Sequence, residues 1–320
     1  MQAMIGVALI LALFLGSGAP ALAEPFEEGL EAYAKGDYAT ALEHWRPLAE
    51  QGLADAQSSL GWMYAEGEGV REDDAEAARW YRKAAEQGLA RAQYNLGVVY
   101  DDGVGVPEDD AEAAKWFRKA AEQGLARAQY NLGVMHTAGV GVQKDELEAA
   151  KWFRMAAEQG YAPAQSNLGF AYATGAGVPG DDAEARKWYR KAADQGYGEA
   201  VQWFREAADL GDAVAQRELG GMYAEGRGLD RSHAEAVKWY RLAAIQGHAA
   251  AQTDLGGMYA RGEGVFQDWI QAYAWFNVAA ANENQDAERM RNMVARDLTE
   301  EQFAAAIALA REYMEKYRTK

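Results

Sequence analysis

Residues 89–124 read LARAQYNLGVVYDDGVGVPEDDAEAAKWFRKAAEQG, and residues 125–160 read LARAQYNLGVMHTAGVGVQKDELEAAKWFRMAAEQG. The two stretches share 27 of 36 positions. Leu-Gly pairs recur at Leu60-Gly61, Leu96-Gly97, Leu132-Gly133, Leu168-Gly169, Leu219-Gly220 and Leu255-Gly256. Tryptophans keep step at Trp80, Trp116, Trp152, Trp188, Trp239 and Trp275, with successive spacings of 36, 36, 36, 51 and 36. A fixed period of this length marks stacked supersecondary units rather than one globular core.

Each unit reads as two antiparallel helices. In 89–124, Ala92, Leu96 and Tyr100 lie four apart and share one face of a first helix. Gly103 and Gly105 end it, and Gly124 closes the second helix. Asp109 and Glu112 form an Asp-x-x-Glu capping box for that second helix, whose packed face uses Ala113, Trp116, Phe117, Ala120 and Ala121. The box recurs at Asp73/Glu76, Asp145/Glu148, Asp181/Glu184, Ser232/Glu235 and Asp268/Gln271. A helix of about a dozen residues is marginal alone in water, so each hairpin needs its neighbours.

These anchors resemble the Sel-one-like repeat (SLR) family, a branch of the tetratricopeptide-like (TPR-like) solenoids. The carrying motif is Ala92-Gln93-Tyr94-Asn95-Leu96-Gly97, Tyr100, Gly103-Val104-Gly105-Val106, then Ala113-Ala114-Lys115-Trp116-Phe117-Arg118-Lys119-Ala120-Ala121 and Gln123-Gly124. The resemblance implies an all-α, right-handed α/α solenoid of SLR/TPR-like helical hairpins. The expected organisation is a signal peptide at 1–23, a degenerate N-terminal TPR-like hairpin at 24–52 and four SLR repeats at 53–196. A truncated single-helix repeat at 197–211 breaks the phase; two SLR repeats at 212–283 and capping helices at 284–320 follow. The break predicts a local bend or twist, or a division into subarrays 25–196 and 212–320. In the last helix, Phe303, Ile307, Ala310 and Met314 are expected on the inner side.

Ile5 to Leu15 form an apolar run, followed by Ala21-Leu22-Ala23. A run of this length before a small-x-small site reads as an export signal cleaved after Ala23, although Met1 to Met4 carry no Lys or Arg. It is short for a membrane span, which needs about 20 residues, and an uncleaved anchor is the alternative reading. The expected compartment is periplasmic or secreted, with no membrane span in the mature chain.

Composition narrows the chemistry. Lys plus Arg number 32 against 49 Asp plus Glu, a net charge of −17. Such a body argues against nucleic acid as partner, because that binding relies on cations neutralising phosphates. The chain has no cysteine. That removes disulfides, thiolate metal sites and thiol nucleophiles. The four histidines, His44, His136, His233 and His248, match no metal or catalytic spacing. His136 replaces the repeat tyrosine of Tyr100 and Tyr172 and reads as a packing position. Gly175-Ala176-Gly177-Val178-Pro179-Gly180 fits Gly-x-Gly-x-x-Gly but follows a helix, whereas the dinucleotide fingerprint needs a strand. Asp101, Asp102, Glu108, Asp109 and Asp110 crowd one loop without EF-hand spacing and read as helix capping. The expectation is therefore no catalytic residue, no metal site and no cofactor.

What remains is a surface. First helices line the concave side of a hairpin solenoid. The side opposite Leu96 and Tyr100 carries repeat-spaced ladders with Trp62, Arg91, Tyr94, Asn95, Val98, Tyr130, Asn131, Asn167, Phe170, Glu218 and Asp254. Asparagine can grip a peptide backbone through its donor and acceptor, and it can equally satisfy its own neighbours. Tyrosine and tryptophan supply apolar anchor area. The ladder turns acidic at Glu218 and Asp254, which suggests a partner with a basic segment. Resemblance to the family implies an exported, non-enzymatic scaffold or adaptor that binds a protein or peptide. Recognition of cell-wall glycan or peptide through the aromatic positions is the alternative. A cysteine-rich branch of the family is linked to β-lactam binding or hydrolysis, but this chain lacks those cysteines and any activated nucleophile.

Overall fold

The computed structural model of the protein describes residues 20–282 and 284–317, so most of the expected signal peptide, including Ile5 to Leu15, lies outside the described residues. Every regular element among those residues is an α-helix. In chain order they are α1 (Pro20–Ala34), α2 (Tyr38–Glu50), α3 (Ala54–Glu66), α4 (Asp74–Glu86), α5 (Ala90–Asp102), α6 (Asp110–Glu122), α7 (Ala126–Ala138) and α8 (Glu146–Glu158). Then come α9 (Ala162–Thr174), α10 (Asp182–Asp194), α11 (Gly198–Asp209), α12 (Ala213–Glu225), α13 (His233–Ile245), α14 (Ala249–Arg261), α15 (Trp269–Ala281), α16 (Gln285–Asp297) and α17 (Glu300–Tyr317). Consecutive helices pack as hairpins, which makes the fold an all-α solenoid of helical hairpins. The described residues form two compact units, one up to residue 164 with 176–178, the other 165–175 with those from 179 on.

The capping boxes form by half. Asp73, Asp109, Asp145 and Asp181 each accept the backbone N–H of the glutamate three residues on, as Ser232 does from Glu235. The glutamates do not reach back. Each cap residue already donates its own N–H to a carbonyl nine residues earlier, as Asp109 does to Tyr100 at 3.0 Å. Glu112, Glu148 and Glu184 turn instead to Lys115, Lys151 and Lys187, one turn on. The reciprocal box appears in α17, where Thr299 N–H donates to Gln302 Oε1 at 3.0 Å and Gln302 N–H to Thr299 Oγ1 at 3.2 Å.

In the first unit, Trp116 of α6 packs with Tyr81, Ala84 and Ala85 of α4 and Ala92 and Leu96 of α5, so the repeat tryptophan bridges successive hairpins. The glycine of each Leu-Gly pair makes room for a ring. A β-carbon on Gly97 would lie 2.6 Å from Phe117 Cδ1, and one on Gly133 would lie 2.7 Å from Phe153 Cε1. Gly105, at φ 76°, lets its turn settle against the carbonyl of Asp74 in the preceding hairpin. A side chain there would meet backbone in a conformation that L-residues avoid.

A chain of buried amides runs between hairpins. Gln57, Gln93 and Gln129 are at most 5% exposed. Each donates through Nε2 to a carbonyl eight residues earlier, at 3.0, 3.2 and 3.1 Å. Each also accepts, through Oε1, the amide of the glutamine 30 residues later, at 2.7, 2.7 and 2.8 Å. The second unit repeats the device with Gln195 to Gln165, Gln246 to Gln216 and Asn282 to Gln252. A buried amide with both ends satisfied contributes about 1 kcal/mol per bond and would cost more if left unpaired.

Within the second unit, α11 stands where the spacing of 51 breaks the phase. The units do not divide there. Trp203 of α11 stacks on Tyr189 of α10 with centroids 4.4 Å apart. Ala200, Phe204 and Ala208 are buried. Gln216 of α12 donates to Ala208 O of α11 at 3.0 Å, the bond that Gln57, Gln93, Gln129 and Gln252 make to their preceding helices. Arg190–Glu218 at 3.3 Å and Arg186–Asp212 at 3.8 Å tie α10 and the start of α12 together across α11. A division at 197–211 is thus stitched shut, and the compact units part instead within α9.

The chain ends in α16 and α17, packed on α15. The buried positions of α17 are Ala306 and Ala310, while Phe303 is 37% exposed. Ala310 is buried and Ile307 packs on the core cluster as expected, Phe303 meets the Tyr273 ring edge-on at 5.5 Å, and Ala306 adds to the packed face. Tyr313 and Tyr317 then meet Trp275 at 4.6 and 5.5 Å. The Tyr317 carbonyl accepts Gln252 Nε2 at 3.1 Å, so this helix also closes the amide chain.

Candidate functional site

In the first unit, the exposed side of α3, α5 and α7 brings together Trp62, Arg91, Tyr94, Asn95, Val98, Tyr130 and Asn131. Local packing decides how free each one is. Trp62 is 45% exposed, and its orientation is fixed by a hydrogen bond from Nε1 to Tyr33 Oη at 2.8 Å. Tyr33 in turn donates to Glu68 Oε2 at 2.5 Å. Arg91 is half-buried and committed to Asp55 on the neighbouring first helix, Nη2 to Oδ1 2.5 Å. Tyr94 packs on Phe117, centroids 5.7 Å apart, and its hydroxyl is bonded to the Asn131 side chain; burial pushes its pKa up. Tyr130 repeats this on Phe153 at 5.9 Å and meets Tyr161 edge-on at 5.4 Å. Val98 is half-buried against the Phe117–Met135 cluster. Asn95 is half-buried and has no hydrogen-bond partner among the described residues. The asparagines therefore differ: Asn131 supports Tyr94, and Asn95 has its full donor and acceptor capacity available.

In the second unit, Asn167 is half-buried and Phe170 is 57% exposed, both on α9. Glu218 and Asp254 lie on α12 and α14, and both are engaged. Glu218 pairs with Arg190 at 3.3 Å and Arg217 at 3.2 Å, and Asp254 with Arg217 Nε at 2.8 Å. The expectation of a basic partner treated these carboxylates as free charges; the ion pairs remove that basis.

The other sequence candidates take structural places. His136 Nε2 faces the Arg118 guanidinium at 3.3 Å, and its Nδ1 faces Gln143 O at 3.2 Å. A guanidinium only donates, so Nε2 accepts and Nδ1 carries the proton. The same position pairs Arg46 with Tyr64, Arg82 with Tyr100, Arg205 with Tyr223 and Arg241 with Tyr259. His136 is thus a tyrosine substitute. Among the described residues, no group of three or more His, Asp or Glu could hold a metal ion.

The repeating unit that builds this face has a family model of its own. The Sel1 repeat matches residues 2–53, 54–89, 90–125, 126–161, 162–197, 197–212, 213–248 and 249–284. The chain belongs to the Sel1 repeat family. It is 32% identical to a protective antigen present in uropathogenic Escherichia coli strains, whose crystal structure displays an SLR fold. That match covers 92% of this chain and 77% of the antigen, with a TM-score of 0.53. A Sel1 repeat protein from Oxalobacter formigenes is 34% identical, covering 80% of this chain and 96% of that one at a TM-score of 0.54. No curated protein matches the chain.

The Sel1 units also place residues that sequence reasoning passed over. Arg127 is exposed and stands one repeat after Arg91, which stands one repeat after Asp55. The in-phase series Asp55, Arg91, Arg127 was the available signal. Arg217, which neutralises both acidic positions, stands in phase with Tyr94 and Tyr130, whereas Tyr33 and Glu68, which fix Trp62, and Arg190 carry no such signal. Two open hollows lie at the turns inside Sel1 hairpins. One of about 460 Å³ is lined by Tyr64, Val70, Arg71, Glu72 and Asp73. One of about 730 Å³ is lined by Tyr259, Gly262, Gly264, Val265, Phe266, Gln267 and Asp268. They occupy matching repeat positions, which makes them products of the turn.

Proposed function

We propose that this Sel1 repeat protein is an exported, non-enzymatic scaffold. In this reading the concave side formed by α3, α5 and α7 binds a segment of another protein. The observation that carries it is the combination, on the side shared by α3, α5 and α7, of a pinned, half-exposed Trp62, an unsatisfied Asn95 and an Arg127 with no carboxylate partner among the described residues. Aromatic and arginine side chains dominate protein–protein binding energy. Preorientation of Trp62 lowers the entropy lost on binding. The membership of the Sel1 repeat family, whose repeats mediate protein interactions, points the same way.

The non-enzymatic part rests on chemistry. The hollows at the hairpin turns are too open to exclude water, and electrostatic catalysis depends on a preorganised site from which water is excluded. The export part rests on the apolar run before Ala23. Beyond this, no helix among the described residues is long and apolar enough to cross a membrane.

The test is a photo-crosslinking amino acid placed at Val134, on the first-helix face, and separately at Met155, which is 43% exposed on α8. The protein is expressed in its native cells. The proposal expects a defined crosslinked protein from position 134 that is lost when Trp62→Ser and Asn95→Ala are added. Equal capture from both positions, or capture at 134 that ignores those substitutions, refutes it. Capture of wall glycan instead would favour the alternative reading.

A further inference from the structure

The first-helix face of the first unit is organised in three rows. On α7 the rows are Arg127, Asn131 and Val134; on α5 they are Arg91, Asn95 and Val98; on α3 they are Asp55, Ser59 and Trp62. The outer two rows are seven residues apart, about 10 Å along a helix axis. The apolar row is open, with Trp62 45% and Val134 39% exposed. The charged row is not uniform. Asp55 and Arg91 neutralise each other at 2.5 Å. Arg127 is exposed and has no carboxylate partner among the described residues. The residues at its equivalent positions on either side are Arg91 and Pro163, so no acid follows on the ladder.

Arg127 is also badly placed for its own helix. It is the second residue of α7, where the helix dipole disfavours a cation by a few tenths of a kcal/mol. Asp55 meets that preference in α3, and Arg91 has Asp55. Among the described residues no carboxylate pairs with Arg127 to offset that cost. In a chain with 49 acidic residues, a cation left unpaired on the face that also carries the pinned tryptophan asks for a carboxylate from outside.

We propose that this face binds an extended, acidic protein segment, with one Asp or Glu side chain on Arg127 and neighbouring apolar side chains on the Trp62–Val98–Val134 row. The inference rests on the scaffold reading above. In an extended chain, successive side chains point to opposite sides. A backbone lying over the middle row therefore sends apolar residues one way and an acidic residue the other. Asn95, with its amide unbonded, can both donate to and accept from that backbone. The source of the carboxylate is a side chain, not a chain terminus, because the backbone runs over the asparagine row and Arg127 lies to one side of it. The net charge of −17 repels such a segment at long range, so recognition must come from this contact.

The experiment uses the full chain and three dye-labelled decapeptides, each read by fluorescence anisotropy. The first alternates Leu and Glu and is blocked at both termini. The second replaces Glu by Lys. The third replaces Glu by Gln and has a free C-terminal carboxylate. The expected result is saturable binding of the first peptide only. Arg127→Ala weakens it about three- to tenfold, and Arg127→Glu abolishes it, while Arg71→Ala on a hairpin turn leaves it unchanged. Circular dichroism of each variant confirms that the helices are intact. Failure of the acidic peptide to bind, indifference to Arg127, or preference for the free terminus overturns the proposal. Preference for the Lys peptide, lost on Trp62→Ser, overturns the acidic inference and leaves the scaffold reading standing.

Discussion

Adjacent glycines in α14 should respond to the same substitution with opposite signs. Replacing either Gly256 or Gly257 by alanine gains about 1 kcal/mol of helix propensity. The new methyl groups meet different surroundings. On Gly256 the β-carbon would lie 2.8 Å from both Cδ1 and Cε1 of Phe276, a buried ring 2% exposed and flanked by buried alanines. The ring cannot withdraw without displacing α15, and overpacking of this kind costs about 1–3 kcal/mol. On Gly257 the nearest atom is Arg261 Nη1 at 3.0 Å, the far end of a side chain that is 58% exposed. It can swing into solvent. Gly257→Ala should therefore stabilise the chain by up to about 1 kcal/mol, and Gly256→Ala should destabilise it by roughly 0–2 kcal/mol. The propensity terms cancel in the difference, which isolates about 1–3 kcal/mol of ring collision. Urea unfolding of the two variants, with hydrogen exchange of α14 and α15 as a local readout, measures it. Phe276→Leu should shrink the gap. Equal midpoints, or a more stable Gly256→Ala, would refute the claim that the Leu-Gly glycine exists to seat the ring.

Gln129→Leu removes one link of the amide chain, breaking its bonds to Ala121 O and from Gln159, and should cost about 1–3 kcal/mol. Hydrogen exchange of α7 and α8 reads the loss, and unchanged protection would contradict the role given to the chain. His248 caps α14 through Nδ1, accepting the Ala251 N–H at 3.2 Å; burial, and then the nearby Arg217 charge, hold its pKa below the ordinary histidine value. Asp254 and Glu218 also face it and pull the other way, less strongly. The native state thus favours the neutral ring, so this contribution is full above the unfolded pKa of about 6.5 and declines as pH falls through it toward the lower folded value. His248→Asn keeps a cap and should flatten that part of the stability–pH curve; an unchanged curve would sink the assignment.

The periodic anchors made the helices, their turns and the bridging tryptophans readable, because each rests on local chemistry repeated in phase. Three things were hidden. Gln93 and Gln129 look like surface residues on a helix, and their burial depends on carbonyls eight residues back and amides 30 residues on. The cap aspartates were legible, but the failure of their glutamates to close the box depends on Tyr64 and Tyr100 carbonyls in another helix. At the face itself, spacing placed Trp62, Arg91, Tyr94 and Asn95 on one side of the first helices. It could not tell the spent charges of Arg91, Glu218 and Asp254 from the free one of Arg127, because pairing is a property of neighbouring hairpins. The acidic ladder that suggested a basic partner was legible only as composition.

The central claim is that the first-helix side of the first unit is the working surface. Hydroxyl-radical footprinting of the protein with and without its crosslinked partner tests it on the side chains themselves. The account predicts that oxidation of Trp62 and Val134 falls on binding while Leu147 and Met155, exposed on α8, stay as reactive as before. Protection of Leu147 and Met155 with Trp62 and Val134 unchanged would contradict it.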